Sequence, residues 1–217
     1  MIRRTVMLAV AVAALLSLPA VPSHAEWWSD TEPGGDAIST VYDFEAEPCP
    51  TSTTTPTTEG DIRRLTVRHT SDAVVVRMRI TGLLSAHRTF GDLTVRTARR
   101  DWSVTVTRFG KATEVGLSRL GTPPPDDGSE CGSYVEGADV RPCRDARGVI
   151  DVAARLIEAS IPRRCLGSPR WVRAGGAVAT WHARTDAIGY DQWAPPGVAD
   201  GDGWVPPLSP RVRVGRP

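Results

Sequence analysis

Several features that commonly reveal a protein's function are missing from this chain. It has no Gly-x-Ser-x-Gly elbow, no His-Glu-x-x-His pair and no cysteine in a nucleophile context beside a histidine. After residue 18 it has no apolar run near the ~20 residues that cross a bilayer, and it shows no sustained helical period. These absences disfavour motif-defined enzymes, membrane-spanning proteins and helical bundles.

The first 25 residues predict a cleavable secretory signal. Two arginines precede an apolar core over residues 6–18, and Ser23 and Ala25 place small side chains at the −3 and −1 positions. We therefore expect cleavage after Ala25 and export of residues 26–217 as a single domain. No cysteine follows that site directly, so we expect free secretion without a membrane anchor.

Charge gives little guidance towards a partner. Removing the predicted signal takes the 26 basic residues to 24, against 25 acidic ones, which is a net charge near −1. We therefore expect no nucleic-acid partner. Arginines that alternate along the predicted strands indicate a solvated sheet face or, alternatively, a stripe for phosphate-bearing wall polymers. They are Arg64, Arg68, Arg77, Arg79 and Arg96.

An even number of cysteines in an exported chain favours disulfides over metal ligation. Four cysteines allow three pairings. If the two apolar segments around residues 153–154 form a hairpin, Cys143 lies opposite Cys165 and the bridge closes the open end of that hairpin. This leaves Cys49 to pair with Cys131.

The pattern from Ile62 onward alternates between apolar and polar residues, as in strands with one wet face. Many short strands without intervening helices predict an all-β fold, an antiparallel β-sandwich of about eight or nine strands with a jelly-roll-like outline or, alternatively, a barrel. Three stretches are predicted as loops: the threonine-rich residues 51–60, residues 121–132, and the long C-terminal residues 186–210. The first of these is also a candidate for O-linked sugar.

One stretch carries a family resemblance. The motif Pro-Arg-x-Cys-Leu-Gly-x-Pro-x-Trp-Val-Arg at residues 162–173, with Gly-Asp-Ile at 60–62 and Val-Arg-His-Thr at 67–70, resembles a group of small uncharacterised secreted proteins of actinobacteria. This resemblance implies a β-sandwich similar in outline to family 9-like carbohydrate-binding modules and DOMON domains. Haem-binding relatives of that kind use methionine and histidine as axial ligands. Here Met78 is the only methionine beyond the predicted signal and falls on an inward strand position, which disfavours haem.

Four tryptophans lie in segments rich in proline and polar residues, where an exposed ring can stack on a sugar or anchor a partner. The alternative is that they cap the ends of the core, because large rings are usually buried. These tryptophans are Trp27, Trp28, Trp193 and Trp204.

Acidic residues in the N-terminal region form a candidate calcium site. Asp30, Asp36 and Asp61, with Glu32 and Asp43 nearby in sequence, supply the carboxylate oxygens that this hard cation prefers. The alternative is ordinary turn chemistry, in which a carboxylate beside glycine and proline accepts from backbone N–H groups. A structural calcium ion is the one cofactor that the sequence suggests.

These observations predict a secreted binding or interaction module for an extracellular glycan or a cell-wall component. A first alternative is a secreted hydrolase that uses loop carboxylates or one of His69, His87 and His182 beside an acid. A second is a structural or accessory wall protein without a small ligand. The first interpretation requires loop aromatics in a shared groove, and the hydrolase requires a pocket that holds a histidine next to an acid.

Overall fold

A computed structural model of the chain describes residues 26–43, 45–46, 49, 51–82, 88–109, 112–120, 142–182, 185, 187–198 and 205–215. The described part is all-β, with a short 3-10 helix at Arg163–Leu166. Within these residues no helix combines the length and the apolar character needed to span a membrane. The predicted signal, residues 1–25, lies outside the described residues.

Thirteen strands of the described chain form two antiparallel sheets. The five-stranded sheet has the order β1-β4-β5-β10-β9, and the eight-stranded sheet has the order β3-β2-β12-β11-β6-β7-β8, with β13 paired to β11. The strands are β1 Glu26–Thr31, β2 Ile38–Asp43, β3 Thr51–Pro56, β4 Ile62–His69, β5 Ala73–Ile80, β6 Thr89–Arg96, β7 Asp101–Phe109, β8 Ala112–Arg119, β9 Arg147–Asp151, β10 Leu156–Pro162, β11 Trp171–His182, β12 Ala187–Gln192 and β13 Val212–Arg213.

Alternation along the central strands builds one core between the two sheets. In β5, Val76 and Met78 are fully buried, whereas Arg77 and Arg79 are exposed. Both sheets contribute to the same cluster of buried residues, so they pack face to face as a sandwich. The predicted all-β sandwich is confirmed at this level.

The hairpin that carries two of the cysteines is confirmed, with a small correction. Cys143 and Cys165 form a disulfide with an S–S distance of 2.03 Å and a Cα–Cα distance of 6.0 Å. A hairpin register that sets Cys143 directly opposite Cys165 also sets Ile150 opposite Glu158, but the structure pairs Ile150 with Ile157, a shift of one residue. None of the described cysteines is free. Cys131 lies outside the described residues, so the Cys49–Cys131 bridge stays a prediction.

The predicted strand count was too low. Thirteen strands form in the described residues where about eight or nine were expected, and β1, β2, β3 and β12 are the additional ones. Residues 51–60 were predicted as a loop, but Thr51–Pro56 is the edge strand β3, exposed along its whole length. Residues 186–210 were also predicted as a loop, yet they contain β12. The predicted loop at 121–132 lies outside the described residues.

Hairpins dominate the connections between strands. Sequence neighbours pair in β2–β3, β4–β5, β6–β7–β8, β9–β10 and β11–β12. A jelly roll is instead built from two Greek keys. The pairing therefore supports a sandwich but not the jelly-roll-like outline that the sequence suggested.

Candidate functional site

Of the four tryptophans predicted to share a groove, the fold brings Trp28 and Trp193 together and leaves Trp27 on an outer face. Trp193 is 1% exposed and belongs to the core, where Trp28 packs against it edge-on with ring centroids 5.3 Å apart. Trp193 thus offers no face to a ligand. Trp27 is 67% exposed on the outer face of the five-stranded sheet, opposite Arg68. Trp204 lies outside the described residues.

A different set of aromatic and apolar side chains gathers on the outer face of the eight-stranded sheet. Cross-strand pairing places Trp181 opposite Ile188, and Tyr190 opposite both Ala179 and Ile38. Trp181 is 46% exposed, and Ile38 and Ile188 are also exposed. The sequence analysis passed over Trp181 because β12, which supplies its partner, was predicted as a loop.

This face contains a shallow apolar hollow. Its volume is about 320 Å³, and it is lined by Phe90, Ala179, Thr180, Trp181 and Ile188. Tyr190 stands beside the hollow, and its hydroxyl accepts a hydrogen bond from Gln192 Nε2, which fixes the ring. The lining contains no charged side chain, so the hollow suits a neutral ligand with an apolar face.

An acidic cluster lies inside the molecule, where the ends of several strands meet. Glu32 directly follows β1, Asp36 precedes β2, Asp61 precedes β4 and Asp191 lies in β12. Asp191 points inward because it pairs with the core residue Val178. One carboxylate oxygen from each of Glu32, Asp36 and Asp191 lies within 4.8 Å of the others. Three of the four carboxylates are almost fully buried: Glu32 is 5%, Asp61 3% and Asp191 4% exposed.

Backbone donors hold two of these carboxylates in place. Asp191 Oδ2 accepts the N–H of Ile62 at 2.6 Å, which ties β12 to the start of β4. Glu32 Oε1 accepts the N–H of Ala194 at 3.0 Å, which ties the end of β1 to the segment after β12. The cluster therefore joins the two sheets at one end of the sandwich.

Burial and mutual repulsion make the cluster costly to ionise. Burial, together with the charges of Asp191 and Asp36, raises the pKa of Glu32 to about 9. Burial, together with the charges of Asp36 and Asp61, raises the pKa of Asp191 to about 7. Among the described residues, the cation that pairs with this region is Arg63, whose Nη1 lies 3.4 Å from Asp61 Oδ2. One guanidinium beside four carboxyl groups leaves a strong local excess of acid.

Of the predicted calcium ligands, Asp36 and Asp61 belong to this region and Asp30 does not. Asp30 lies in β1, and its Oδ1 accepts the N–H of the next residue, Thr31, at 2.8 Å, which is a local contact. Asp43 likewise accepts the N–H of Glu45. The sequence analysis missed Asp191, which stands far along the chain within a stretch predicted as a loop.

The histidines fall into separate environments. His69 is fully buried, with its Nδ1 3.1 Å from the carbonyl oxygen of Val212. His182 Nε2 lies 2.9 Å from Glu59 Oε2, so one histidine does stand beside an acid. His87 lies outside the described residues. His182 is not among the residues that line the hollow.

The arginine stripe is only partly formed. Arg64, Arg68, Arg77 and Arg79 lie on β4 and β5, whereas Arg96 lies on the other sheet, where it pairs with Asp101. Arg77 also pairs with Glu158, at 2.7 Å. These pairings match the solvated sheet face that the sequence predicted.

Comparison with protein-family models, with curated proteins and with solved structures gives no match. The case for function therefore depends on the residues of this chain.

Proposed function

We propose that this protein is a secreted binding module that holds a neutral glycan on the outer face of its eight-stranded sheet. The observation that carries the proposal is the apolar hollow beneath the exposed ring of Trp181. Pyranose rings have an apolar C–H face and polar edges, and an exposed indole offers a flat surface of matching character. A β-linked polysaccharide of the cell wall is the ligand class that combines such rings with an extracellular location.

The rigidity of the strands that carry the two aromatic rings supports this assignment. Trp181 and Tyr190 stand on β11 and β12, two paired strands in the interior of the sheet order. Aromatic side chains on rigid strands lose little conformational entropy when they bind. The hollow of about 320 Å³ lies at the lower end of the ~300–1,000 Å³ range of small-ligand sites, which suits one or two sugar units at a time.

The proposal also places the chain outside the cell, after cleavage behind Ala25 and with a second bridge between Cys49 and Cys131. The Cys143–Cys165 disulfide supports this location, because such bonds persist in oxidising compartments. The threonine hydroxyls of the exposed edge strand β3 remain the candidates for O-linked sugar.

The test is depletion of the purified protein by insoluble cellulose, chitin and peptidoglycan, followed by calorimetry with soluble fragments of whichever polymer binds. We expect Trp181→Ala to weaken binding at least tenfold, because the indole provides the central stacking surface. Trp27→Ala is the matched control, since Trp27 is exposed on the opposite side of the sandwich and should not affect binding.

Equal binding by the Trp181→Ala and Trp27→Ala proteins would contradict the assignment of this face, provided that both variants melt like the wild type. If none of the three polymers retains the protein, the proposal of a glycan ligand is wrong, and the structural alternative is favoured. Release of reducing sugar from a bound polymer would point to the hydrolase alternative and to the His182–Glu59 pair.

A further inference from the structure

We propose that Glu32, Asp36 and Asp191, with Asp61 beside them, form a calcium site that clamps the two sheets together. The site lies on the inner side of β12, away from the proposed glycan face. It does not depend on the proposed function.

The distances between the carboxylate oxygens fit a single calcium ion. Calcium binds oxygen ligands at 2.3–2.6 Å, so two ligands of a common ion lie no more than about 5 Å apart. The three carboxylate oxygens of Glu32, Asp36 and Asp191 meet this condition, since all lie within 4.8 Å of one another. The elements that supply them come from both ends of the chain, so an ion here would bind only the folded state.

Two buried oxygens indicate that the cluster is incomplete without a ligand. Glu32 Oε2 and Asp61 Oδ1 are buried and have no hydrogen-bond partner among the described residues, on side chains that are more than nine-tenths buried. Leaving such an acceptor unsatisfied costs on the order of 1–3 kcal/mol, and more for a charged group. A bound cation supplies the partner that these two oxygens lack. The alternative of ordinary turn chemistry leaves both of them without one.

Backbone shape also lets the chain reach this cluster twice. Gly34, at φ +73°, lets the chain turn between Glu32 and Asp36, and the Arg63 guanidinium lies against its Cα. A side chain at this position would meet Arg63 and approach Asp61 Oδ1 to 3.1 Å. The Pro33-Gly34-Gly35 turn therefore brings Asp36 back towards the cluster and leaves room for the Arg63 guanidinium that pairs with Asp61.

The chemistry of the four side chains favours calcium over other metal ions. All four side chains offer carboxylate oxygens and none offers sulfur or imidazole nitrogen, which excludes a typical zinc site. Magnesium usually keeps several waters and binds through one or two carboxylates, whereas calcium accepts a protein-built cage of oxygens. The alternative occupant is a proton shared between the carboxyl groups.

The experiment compares thermal unfolding of the purified, oxidised protein in EGTA, in 10 mM calcium chloride and in 10 mM magnesium chloride at equal ionic strength. For an affinity near 10⁻⁴ M, typical of extracellular calcium modules, we expect calcium to raise the Tm by about 5–10 °C. Magnesium should raise it less.

Conservative variants assign the site. Asp36→Asn changes the exposed member of the cluster, and Glu32→Gln keeps an oxygen for the Ala194 N–H, so both should fold but lose most of the calcium response. In EGTA, Glu32→Gln should melt no lower than the wild type, because a buried carboxyl beside other acids has been removed. Asp30→Asn is the control and should keep the full response.

An equal Tm of the wild type in EGTA and in calcium would overturn the proposal and leave the shared proton. A full calcium response in both Asp36→Asn and Glu32→Gln would overturn it as well, and would place any ion elsewhere. Loss of the response in Asp30→Asn would favour the ligand set that the sequence analysis suggested.

Discussion

His69 shows how one buried side chain couples the stability of this protein to pH. Its Nδ1 faces the carbonyl oxygen of Val212, so the neutral ring must carry its proton there and donate it. Burial lowers the pKa of His69 and outweighs the hydrogen bond to Val212, which raises it; the charge of Arg163 lowers the pKa further, and Glu26 acts in the opposite direction. The unfolded chain, with an ordinary histidine pKa near 6.5, therefore binds a proton before the folded chain does.

The consequence is a loss of stability as pH falls below about 6.5, since the unfolded state then holds more protons than the folded state. His69→Asn can still donate to Val212 but does not titrate. We expect urea unfolding between pH 7.5 and 5 to show a shallower fall in the free energy of unfolding for this variant. The slopes of the unfolding free energy against pH should differ between the two proteins by about 1.4 kcal/mol per pH unit at most. Parallel curves for the two proteins would disprove this role of His69.

At the scale of single residues, the local sequence predicted part of the acidic cluster. Asp36 lies beside glycine and proline in a turn, and Asp61 precedes a clear strand, so both were predicted. Asp191 was not, because its position depends on strand pairing with β11 and not on its neighbours. For Trp193 the alternative of a buried ring is correct, but the proline-rich flank left both possibilities open because it does not reveal whether the ring enters the core.

At the scale of the elements, β11 depends on a glycine that lets the two sheets approach. A Cβ at Gly176 would lie 2.4 Å from Met78 Sδ and 3.2 Å from Leu93 Cδ2. We expect Gly176→Ala to destabilise the protein by about 1–3 kcal/mol through overpacking. Gly116→Ala in β8 is the control, because a Cβ there meets nothing closer than 3.9 Å and should be tolerated. Denaturant unfolding of both variants checks this, and equal stabilities would contradict the packing argument.

The elements also explain which strands sequence could predict. Strands such as β5 have one face in the core, so burial imposes an alternating pattern that is visible in the sequence. β3 is exposed along all of its residues, and β2 has one buried residue, so neither needs that pattern. They are held by backbone pairing with neighbours at the edge of the sheet, which the local sequence does not record.

On the scale of the whole molecule, contacts between residues far apart in the sequence close the sandwich. The carboxylate of Glu26 in β1 accepts the N–H of Arg213 in β13, and Glu32 accepts the N–H of Ala194. The first strand is therefore held by residues near the C-terminus. The fold class followed from alternation alone, but this closure did not, because it joins residues separated by more than 150 positions.

Disulfide bonds also act at this scale, because a cross-link constrains the unfolded chain as a whole. The Cys143–Cys165 bridge closes a loop with a sequence separation of 22, which stabilises the fold by about 3 kcal/mol. We expect the double variant Cys143→Ser, Cys165→Ser to lose about that much in denaturant unfolding. If Cys49 and Cys131 also form a bridge, reductant will destabilise this double variant further. An unchanged midpoint on reduction, together with two alkylatable thiols in the unreduced double variant, would show that the second bridge does not form and that one disulfide suffices for this sandwich.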